Sequence, residues 1–358
     1  MKKSFGFIII LILLAVSVLF SACSKQQDMQ APVKAKTEKN SDVPRIGFSV
    51  ATDTFIIERW NKDIKIFTSA VSDLGGDVLL QMSAGGNAAQ IQQIEYLLSQ
   101  NIDVLVVIPH DCDLISGVIQ EAGEKGVPVI AYDRIINNVP LAAYVSFDNR
   151  QVGSLMAEAA VKACPKGNYL ILNGSIRDTN VYEVNAGIYS ILNPYINKGS
   201  IRVGEEIWLD EWSFDEALQK LGEVFAVRED FDAILAGNDQ IAEAAVQLLA
   251  ERRLAGNVVV TGQDAELAAC QRLVEGSQLM TVYKPIDRLA TKTAQIAMMV
   301  ARREELPEPS TYVDNGSSEK VPYFRLAPIA VTLDNIEDTV FKDGFHSRQD
   351  VYRTSVLK

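Results

Sequence analysis

The sequence predicts an α/β protein built from two similar halves, each with a parallel sheet flanked by helices. Short apolar segments rich in β-branched residues alternate with amphipathic segments of helical length from Pro44 to Arg302. The alternation restarts near Ala143, and the second half repeats the plan of the first. The length of 358 residues also favours two domains. Two such halves imply a cleft between them, where small-molecule sites usually lie.

The predicted elements follow one another in a regular order. In the first half, strands cover 45–50, 77–81, 104–108 and 128–131, and helices cover 60–74, 87–100 and 114–125. In the second half, strands cover 143–146, 168–173, 201–208, 233–236, 258–261 and 279–283, and helices cover 150–164, 184–192, 215–227, 240–251, 266–275 and 285–302. Strand–helix units of this length imply right-handed crossovers, so the strands of each sheet run parallel.

The start of the chain has the layout of an export signal. Lys2 and Lys3 precede an apolar run at 5–20, which is short for a membrane span, and small residues then lead to Cys23. This ending resembles a bacterial lipobox, so residues 1–23 are expected to be a lipoprotein signal peptide and Cys23 the lipidated residue. Residues 24–43 are polar and predict a flexible tether. We expect a protein of the cell envelope, anchored by lipid in the periplasm or on the outer face of the cytoplasmic membrane.

Composition narrows the possible partners. The formal net charge is −12 and no dense Lys/Arg block occurs, which argues against nucleic acid. The two histidines and four cysteines form no metal-ligand spacing, and no EF-hand-like loop is present. We therefore expect neither a metal site nor a cofactor.

Polar side chains follow almost every predicted strand. The strand at 128–131 leads to Asp133 and Arg134, which can accept from and donate to the same neutral ligand. Alone, this pair could be a surface ion pair, and each Asn, Asp or Ser at the other strand ends could cap a helix. Ligands of open α/β sheets bind beyond the carboxyl ends of the strands, so the set as a whole favours one polar crevice. The other strand ends contribute Asp148, Asn149, Asn173, Asp178, Asn180, Asn238, Asp239, Gln263, Asp264 and Lys284.

The three tryptophans lie near the same predicted ends. Trp60 is at the start of the first helix, and Trp208 and Trp212 flank a loop after a strand of the second half. Sugar rings offer C–H faces that pack on aromatic rings and hydroxyl groups that need paired donors and acceptors. Trp together with Asp, Asn and Arg meets both needs. The alternative, a tryptophan that closes a core, is weighed equally for Trp208.

The motifs resemble the periplasmic D-xylose-binding proteins of sugar ABC transporters, in the ribose/galactose/xylose group of type 1 periplasmic sugar-binding proteins. The resemblance covers residues 45–346, with the motifs in order and at matching spacing. They are Ile-Gly-Phe-Ser-Val-Ala at 46–51, Glu-Arg-Trp at 58–60, Ala-Tyr-Asp-Arg at 131–134, Ser-Phe-Asp-Asn at 146–149, Gly-Asn-Tyr at 167–169, Asn-Asp at 238–239, Gly-Gln-Asp-Ala at 262–265, Met-Thr-Val-Tyr-Lys-Pro at 280–285, Asp-Thr-Val at 338–340 and Lys-Asp-Gly-Phe-His at 342–346.

The resemblance implies two Rossmann-like lobes joined by a three-crossing hinge. The crossings are expected near 146–149, 284–285 and 321–325. The N-terminal lobe would comprise 44–146 plus 285–319, and the C-terminal lobe 148–283 plus 326–342. The remaining residues, 343–358, would form a charged, mobile tail.

The resemblance also implies a set of sugar-binding residues. From the first lobe these are Arg59, Trp60, Asp133 and Arg134, and from the second lobe and hinge Asn180, Trp212, Asn238, Asp264 and Lys284. Trp212 would stack on the sugar ring and Trp208 would flank it. Ile56, residues 84–87 and Asn185 depart from the family pattern and could change which pentose or hexose fits.

Three classes of function remain to be compared. The first is a monomeric receptor that binds a neutral monosaccharide, with D-xylose as the expected ligand, and delivers it to an ABC transporter permease. The second, a glycosidase, would need a carboxylate pair among Asp133, Asp239 and Asp264, but no catalytic motif supports it. The third is a regulator: a DNA-binding repressor is disfavoured by the signal peptide and the negative charge, whereas a sensor for a chemoreceptor or membrane histidine kinase stays open.

Overall fold

The computed structural model describes residues 43–51 and 57–352. The predicted signal peptide with Cys23 and the predicted tether up to residue 42 lie outside the described residues. The same holds for Ile56 and for residues 353–358. Within the described residues, no helix is long and apolar enough to cross a membrane.

Helices and strands alternate along most of the described chain. In chain order the elements are β1 (Arg45–Ala51), α1 (Ile57–Asp73), β2 (Asp77–Ser83), α2 (Gly86–Ser99), β3 (Val104–Ile108), α3 (Ser116–Glu124), β4 (Val129–Tyr132), β5 (Ala143–Phe147), α4 (Asn149–Ala163), β6 (Gly167–Ser175), α5 (Thr179–Asn197), β7 (Ile201–Leu209), α6 (Phe214–Phe225), β8 (Ala233–Ala236), α7 (Asp239–Glu251), β9 (Val259–Gln263), α8 (Leu267–Glu275), β10 (Met280–Tyr283), α9 (Ile286–Ala301), β11 (Thr311–Val313), β12 (Val321–Leu326), β13 (Ile329–Val331), a short π-helix (Glu337–Phe341) and α10 (Arg348–Tyr352).

The first sheet has the strand order β11-β12-β5-β4-β3-β1-β2. Its neighbouring strands are parallel, except that β11 and β12 are antiparallel. The central strand β3 is buried along its whole length because helices cover both faces of the sheet. One face packs against α1 and α9, and the other packs against α2 and α3.

The second sheet has the strand order β13-β10-β9-β8-β6-β7. Its strands are parallel apart from the antiparallel pair β10 and β13. Helices α6 and α7 cover one face, and α4 and α5 cover the other. The mixed α/β class and the two similar halves are therefore as the sequence predicts.

The chain passes between the two sheets three times, after β5, after β10 and after β12. The first two crossings lie where the sequence places them. The third differs, because β12 pairs with β5 of the first sheet from Tyr323 to Leu326. The crossing expected near 321–325 thus follows Leu326 and precedes Ile329.

The described part of the C-terminal region, residues 343–352, corrects the prediction of a mobile tail. Helix α10 packs on α8, Val351 is buried, and Gln271 Nε2 donates to Asp350 O at 2.8 Å. Apolar side chains at 340, 345 and 351 join a small core with α8 and β10. The prediction was wrong because the segment is mostly charged and has only a few apolar residues. Their contacts nevertheless hold residues 343–352 against the second sheet.

Candidate functional site

The nine side chains singled out from the sequence line one cavity between the two sheets. The space between the lining atoms is about 380 Å³, open solvent included, and about 30 Å³ of it admits the centre of a water-sized molecule. Helix α1 and the loops after β4, β5, β6, β7, β8, β9 and β10 supply its walls. Its lining consists of Arg59, Trp60, Asp133, Arg134, Asn149, Asp178, Asn180, Val184, Trp212, Asn238, Gln263, Asp264 and Lys284.

Arg59 reaches across the cavity from the first turns of α1. Its guanidinium donates to the Asp133 carboxylate, and Nη1 lies 3.3 Å from Asp264 Oδ1 on the second-sheet side. Asp63, one turn further along α1, lies 3.8 Å from Nε. Burial lowers the pKa of Arg59, but the carboxylates of Asp133, Asp264 and Asp63 outweigh burial and raise it above the ordinary value. Arg59 is therefore a fixed cation that connects both sides.

Asp133 occupies a strained backbone position directly after β4. Its φ of 63° is in the left-handed region, which non-glycine residues rarely adopt. Three side chains hold its carbonyl oxygen: Ser146 Oγ at 2.6 Å, Tyr144 OH at 3.0 Å and Asn180 Nδ2 at 3.0 Å. Burial opposes ionisation, yet the cations around the carboxylate, Arg59 first, lower the pKa of Asp133. Asp133 is therefore an ionised acceptor in a fixed orientation.

Arg134 forms a second connection between the two sides. Its Nε lies 2.9 Å from Asp178 Oδ2, and both side chains are at most 5% exposed. Trp212 Nε1 also donates to Asp178 Oδ2, at 3.2 Å. Burial raises the pKa of Asp178, and Arg134 offsets only part of this effect. Asp178 thus links a guanidinium of the first side to an indole ring of the second.

Asp264 follows β9 in a second strained turn. Its φ is 96° and that of Ala265 is 52°, so two consecutive residues lie in the left-handed region. The carboxylate accepts from Arg59 and lies 3.1 Å from Lys284 Nζ, at the crossing after β10. Cations from both sides of the cavity therefore meet at one carboxylate.

The amide side chains combine capping with cavity lining. Asn238 Oδ1 caps α7 by accepting from Ile241 N at 2.9 Å. Asn180 Oδ1 lies 3.1 Å from Tyr144 OH, whose one proton serves either this oxygen or Asp133 O, while the Asn180 amide donates to the first side as described above. Asn238 therefore caps helix α7, which is the alternative weighed for it, and its side chain also lines the cavity.

Three buried polar atoms at the cavity have no hydrogen-bond partner among the described residues: Arg59 Nε, Trp60 Nε1 and Gln263 Oε1. A buried polar atom left unpaired costs about 1–3 kcal/mol. They comprise two donors and one acceptor, which hydroxyl groups, being donors and acceptors at once, can satisfy.

The three tryptophans have different environments. Trp212 packs on the backbone of Gly174, where an added Cβ would come within 2.1 Å of the ring. Trp60 is 1% exposed and belongs to the core of the first sheet, with the Arg59 guanidinium carbon 4.5 Å from its ring centre. Trp208 stacks on Tyr182 at 5.2 Å and does not line the cavity, so its expected place beside a ligand is not supported.

Four lining residues were not selected as sugar-binding from the sequence. Asn149, Asp178 and Gln263 follow predicted strands, but the first two have the pattern of helix caps, and Asp178 does cap α5. For Gln263, the only further indication in the sequence is its position directly before Asp264. Val184 is an apolar residue on a helix and gave none.

Two α/β halves around a polar, tryptophan-lined cavity define a binding protein for a small polar molecule. The chain belongs to the periplasmic binding protein family, whose domain matches residues 47–305. It is 44% identical to the D-xylose-binding periplasmic protein of Haemophilus influenzae and 40% identical to that of Escherichia coli; each match spans 86% of this chain and 92% of the relative. An ABC transporter solute-binding protein from Clostridium phytofermentans with bound β-D-glucose matches 85% of this chain and 99% of its own at a TM-score of 0.77 and 26% identity.

Family membership decides between the broad classes of function. Periplasmic binding proteins serve transport and are not enzymes, so the glycosidase alternative is set aside. Membership also supports an exported, periplasmic location, in agreement with the predicted export signal.

Proposed function

We propose that this protein captures a neutral monosaccharide, D-xylose, in the cavity between its lobes and delivers it to an ABC transporter permease. The 44% and 40% identity to two D-xylose-binding periplasmic proteins over most of the chain supports this proposal most directly. The convergence of all nine predicted side chains on one cavity adds to it.

The charges of the cavity favour an uncharged ligand. Three cations, Arg59, Arg134 and Lys284, are matched by the carboxylates of Asp133, Asp178 and Asp264. A sugar phosphate would need cations that are not already neutralised by carboxylates. The uncharged hydroxyl groups of a sugar can instead hydrogen-bond to cations and carboxylates that already neutralise one another.

Each group in the proposed site has a role that follows from its chemistry. The carboxylates of Asp133 and Asp264 accept from sugar hydroxyls, and Arg59, Arg134 and Lys284 donate to them. Asn180 and Asn238 add amide contacts from the second side. Trp212 offers an indole face to the ring, and Trp60 Nε1 offers a donor to a hydroxyl.

The proposed lobes, which the third crossing and the C-terminal contacts revise to 44–147 plus 285–326 and 148–283 plus 329–352, would rotate about the crossings. Arg59–Asp264 and Arg134–Asp178 join the two sides, and Cys112 N donates to Arg177 O at 3.4 Å at the rim. A sugar held by both sides would favour this arrangement over an open one, because only differential affinity shifts such an equilibrium.

The location is proposed to be the cell envelope, with Cys23 lipidated and the folded part tethered to a membrane. Mass spectrometry of the protein purified from membranes tests this proposal. A mature chain that begins at Cys23 with attached acyl groups supports it, and a mature chain that begins elsewhere contradicts it.

A role as a sugar-sensing subunit for a chemoreceptor or membrane histidine kinase remains the alternative use of the same site. Deletion of the protein's gene distinguishes the two roles. Loss of labelled sugar uptake is expected for transport, whereas intact uptake with a lost transcriptional or motile response would favour sensing.

The ligand is tested by thermal unfolding of the protein without residues 1–23 against a panel of pentoses and hexoses. D-xylose is expected to raise the unfolding temperature most, because a ligand that binds only the folded state stabilises it. Stabilisation by ribose or arabinose but not xylose would reject the xylose assignment, and no shift with any sugar would reject the proposed function.

A further inference from the structure

The turn that presents Asp264 is energetically unfavourable by itself. Asp264 and Ala265 both have positive φ, an unfavourable conformation that persists only where the surrounding structure holds it. Asp264 N donates to Val282 O at 2.8 Å, and Ala265 N donates to Thr281 Oγ1 at 3.1 Å. Both hydrogen bonds use backbone N–H groups of the turn. The carbonyl oxygen of Ala265 is an acceptor and is satisfied separately.

Cys270 Sγ of α8 lies 3.6 Å from that oxygen as a weak donor, and the stronger donor comes from the C-terminal segment. His346 is buried, and its Nε2 donates to Ala265 O at 2.8 Å across 81 positions of sequence. The segment itself is anchored, because Phe345 N donates to Val340 O at 3.0 Å and Val340 is fully buried. His346 therefore supports the turn from a fixed position.

The neighbouring Phe345 contacts two further elements that supply proposed site residues. Its ring lies 5.0 Å from that of Tyr283, the residue before Lys284. Lys62 Nζ lies 4.7 Å from the centre of the same ring, and Lys62 follows Arg59 by about one turn of α1. Phe345 and His346 thus contact the turn of Asp264, the strand before Lys284 and the helix of Arg59.

We propose that His346 is a positioning residue for the sugar site, holding the Asp264–Ala265 turn so that the Asp264 carboxylate faces the ligand. This inference rests on the proposed function. None of residues 342–346 lines the cavity, so His346 acts on the site through the turn.

The test compares four variants with the unsubstituted protein by titration calorimetry with D-xylose and by thermal unfolding. His346→Ala and His346→Leu remove the donor, and the leucine keeps an apolar side chain in the buried position. Both are expected to weaken sugar binding about tenfold. His346→Gln, which can place an amide donor near Nε2, is expected to stay within about threefold of the unsubstituted protein.

Gln271→Ala is the matched control, because it removes another hydrogen bond to the C-terminal segment, from Gln271 Nε2 to Asp350 O. It is expected to lower the unfolding temperature and leave sugar affinity unchanged. Unchanged affinity in folded His346→Ala or His346→Leu, while the unsubstituted protein binds sugar, overturns the inference and leaves the proposed function intact. Equal weakening by Gln271→Ala also overturns it, since the effect would then be general stability.

Discussion

The two sides of the cavity differ in the charge that they contribute. The first side extends Arg59 and Arg134 across the cavity, and the second side receives them with Asp264 and Asp178. Amides and the Trp212 indole make up most of the rest of the second side. Arg59 also pairs with Asp133 on its own side, and Asp264 pairs with Lys284, so only the pairs Arg59–Asp264 and Arg134–Asp178 need the two sides to meet. Sugar binding and the approach of the two sides are therefore expected to depend on the same contacts.

Removing the acceptor on the second side should have the largest effect. Asp264→Asn keeps the shape and tolerates the positive φ, but it leaves Arg59 and Lys284 with one carboxylate fewer. We expect D-xylose affinity to fall about a hundredfold, measured by titration calorimetry. Asp73→Asn, at an exposed position on α1, makes the same charge change and should have no effect. Equal affinities of the two variants would contradict the site.

The buried ion pair across the cavity should matter more than an exposed one nearby. Asp178→Asn leaves the Arg134 guanidinium buried without its carboxylate, and we expect sugar affinity to fall about thirtyfold. Glu211→Gln breaks the pair with Arg177, in which both side chains are more than 40% exposed, and should change affinity less than about twofold. Titration calorimetry measures the dissociation constant of D-xylose for each variant, and that of Asp178→Asn is expected to be the larger. Arg177 and Glu211 both lie on the second side, so a larger effect of Glu211→Gln would contradict the role given to the buried pair between the sides.

The indole of the second side can be displaced without being mutated. In Gly174→Ala the new Cβ would lie 2.1 Å from the Trp212 ring, so the ring must move. We expect a loss of about tenfold in sugar affinity, matched by Trp212→Leu, because each removes the aromatic face. Gly123→Ala on α3 has open space around the new methyl group and should leave affinity unchanged. Normal binding by folded Gly174→Ala would exclude Trp212 from the contact.

The last prediction concerns how the free energy of unfolding depends on pH through Asp63, on the first side. Burial is the largest influence on Asp63 and raises its pKa to about 7 from an ordinary 3.8, with Arg59 opposing. The folded protein thus holds a proton that the unfolded chain releases, so this group lowers the free energy of unfolding as pH rises from about 4 to about 7. In Asp63→Asn that contribution disappears, and the slope should change by up to about 1.4 kcal/mol per pH unit. Urea titrations across this range measure it. If the free energy of unfolding changes with pH in the same way in Asp63→Asn and in the unsubstituted protein, the raised pKa of Asp63 is contradicted.

Much of the proposed site could be predicted because strand ends are visible in the sequence. Asp133, Asn238 and Asp264 each follow a short apolar run, and parallel strands place such residues along one edge. Asp178 was not selected, because an acid before a helix has the pattern of a cap whether or not it also meets an arginine from the other side. Trp208 was misplaced for a related reason: position near a strand end does not decide which face a ring packs on.

The sequence by itself determined the alternation of strands and helices, the division into two halves and the residue types at the strand ends. These properties depend on local periodicity and on residues close together in the chain. The tertiary structure alone decided which charges pair, where the third crossing lies and that residues 343–352 are held against the second sheet. Those contacts join Arg59 to Asp264 and His346 to Ala265 across 205 and 81 positions, and no local pattern records such distances.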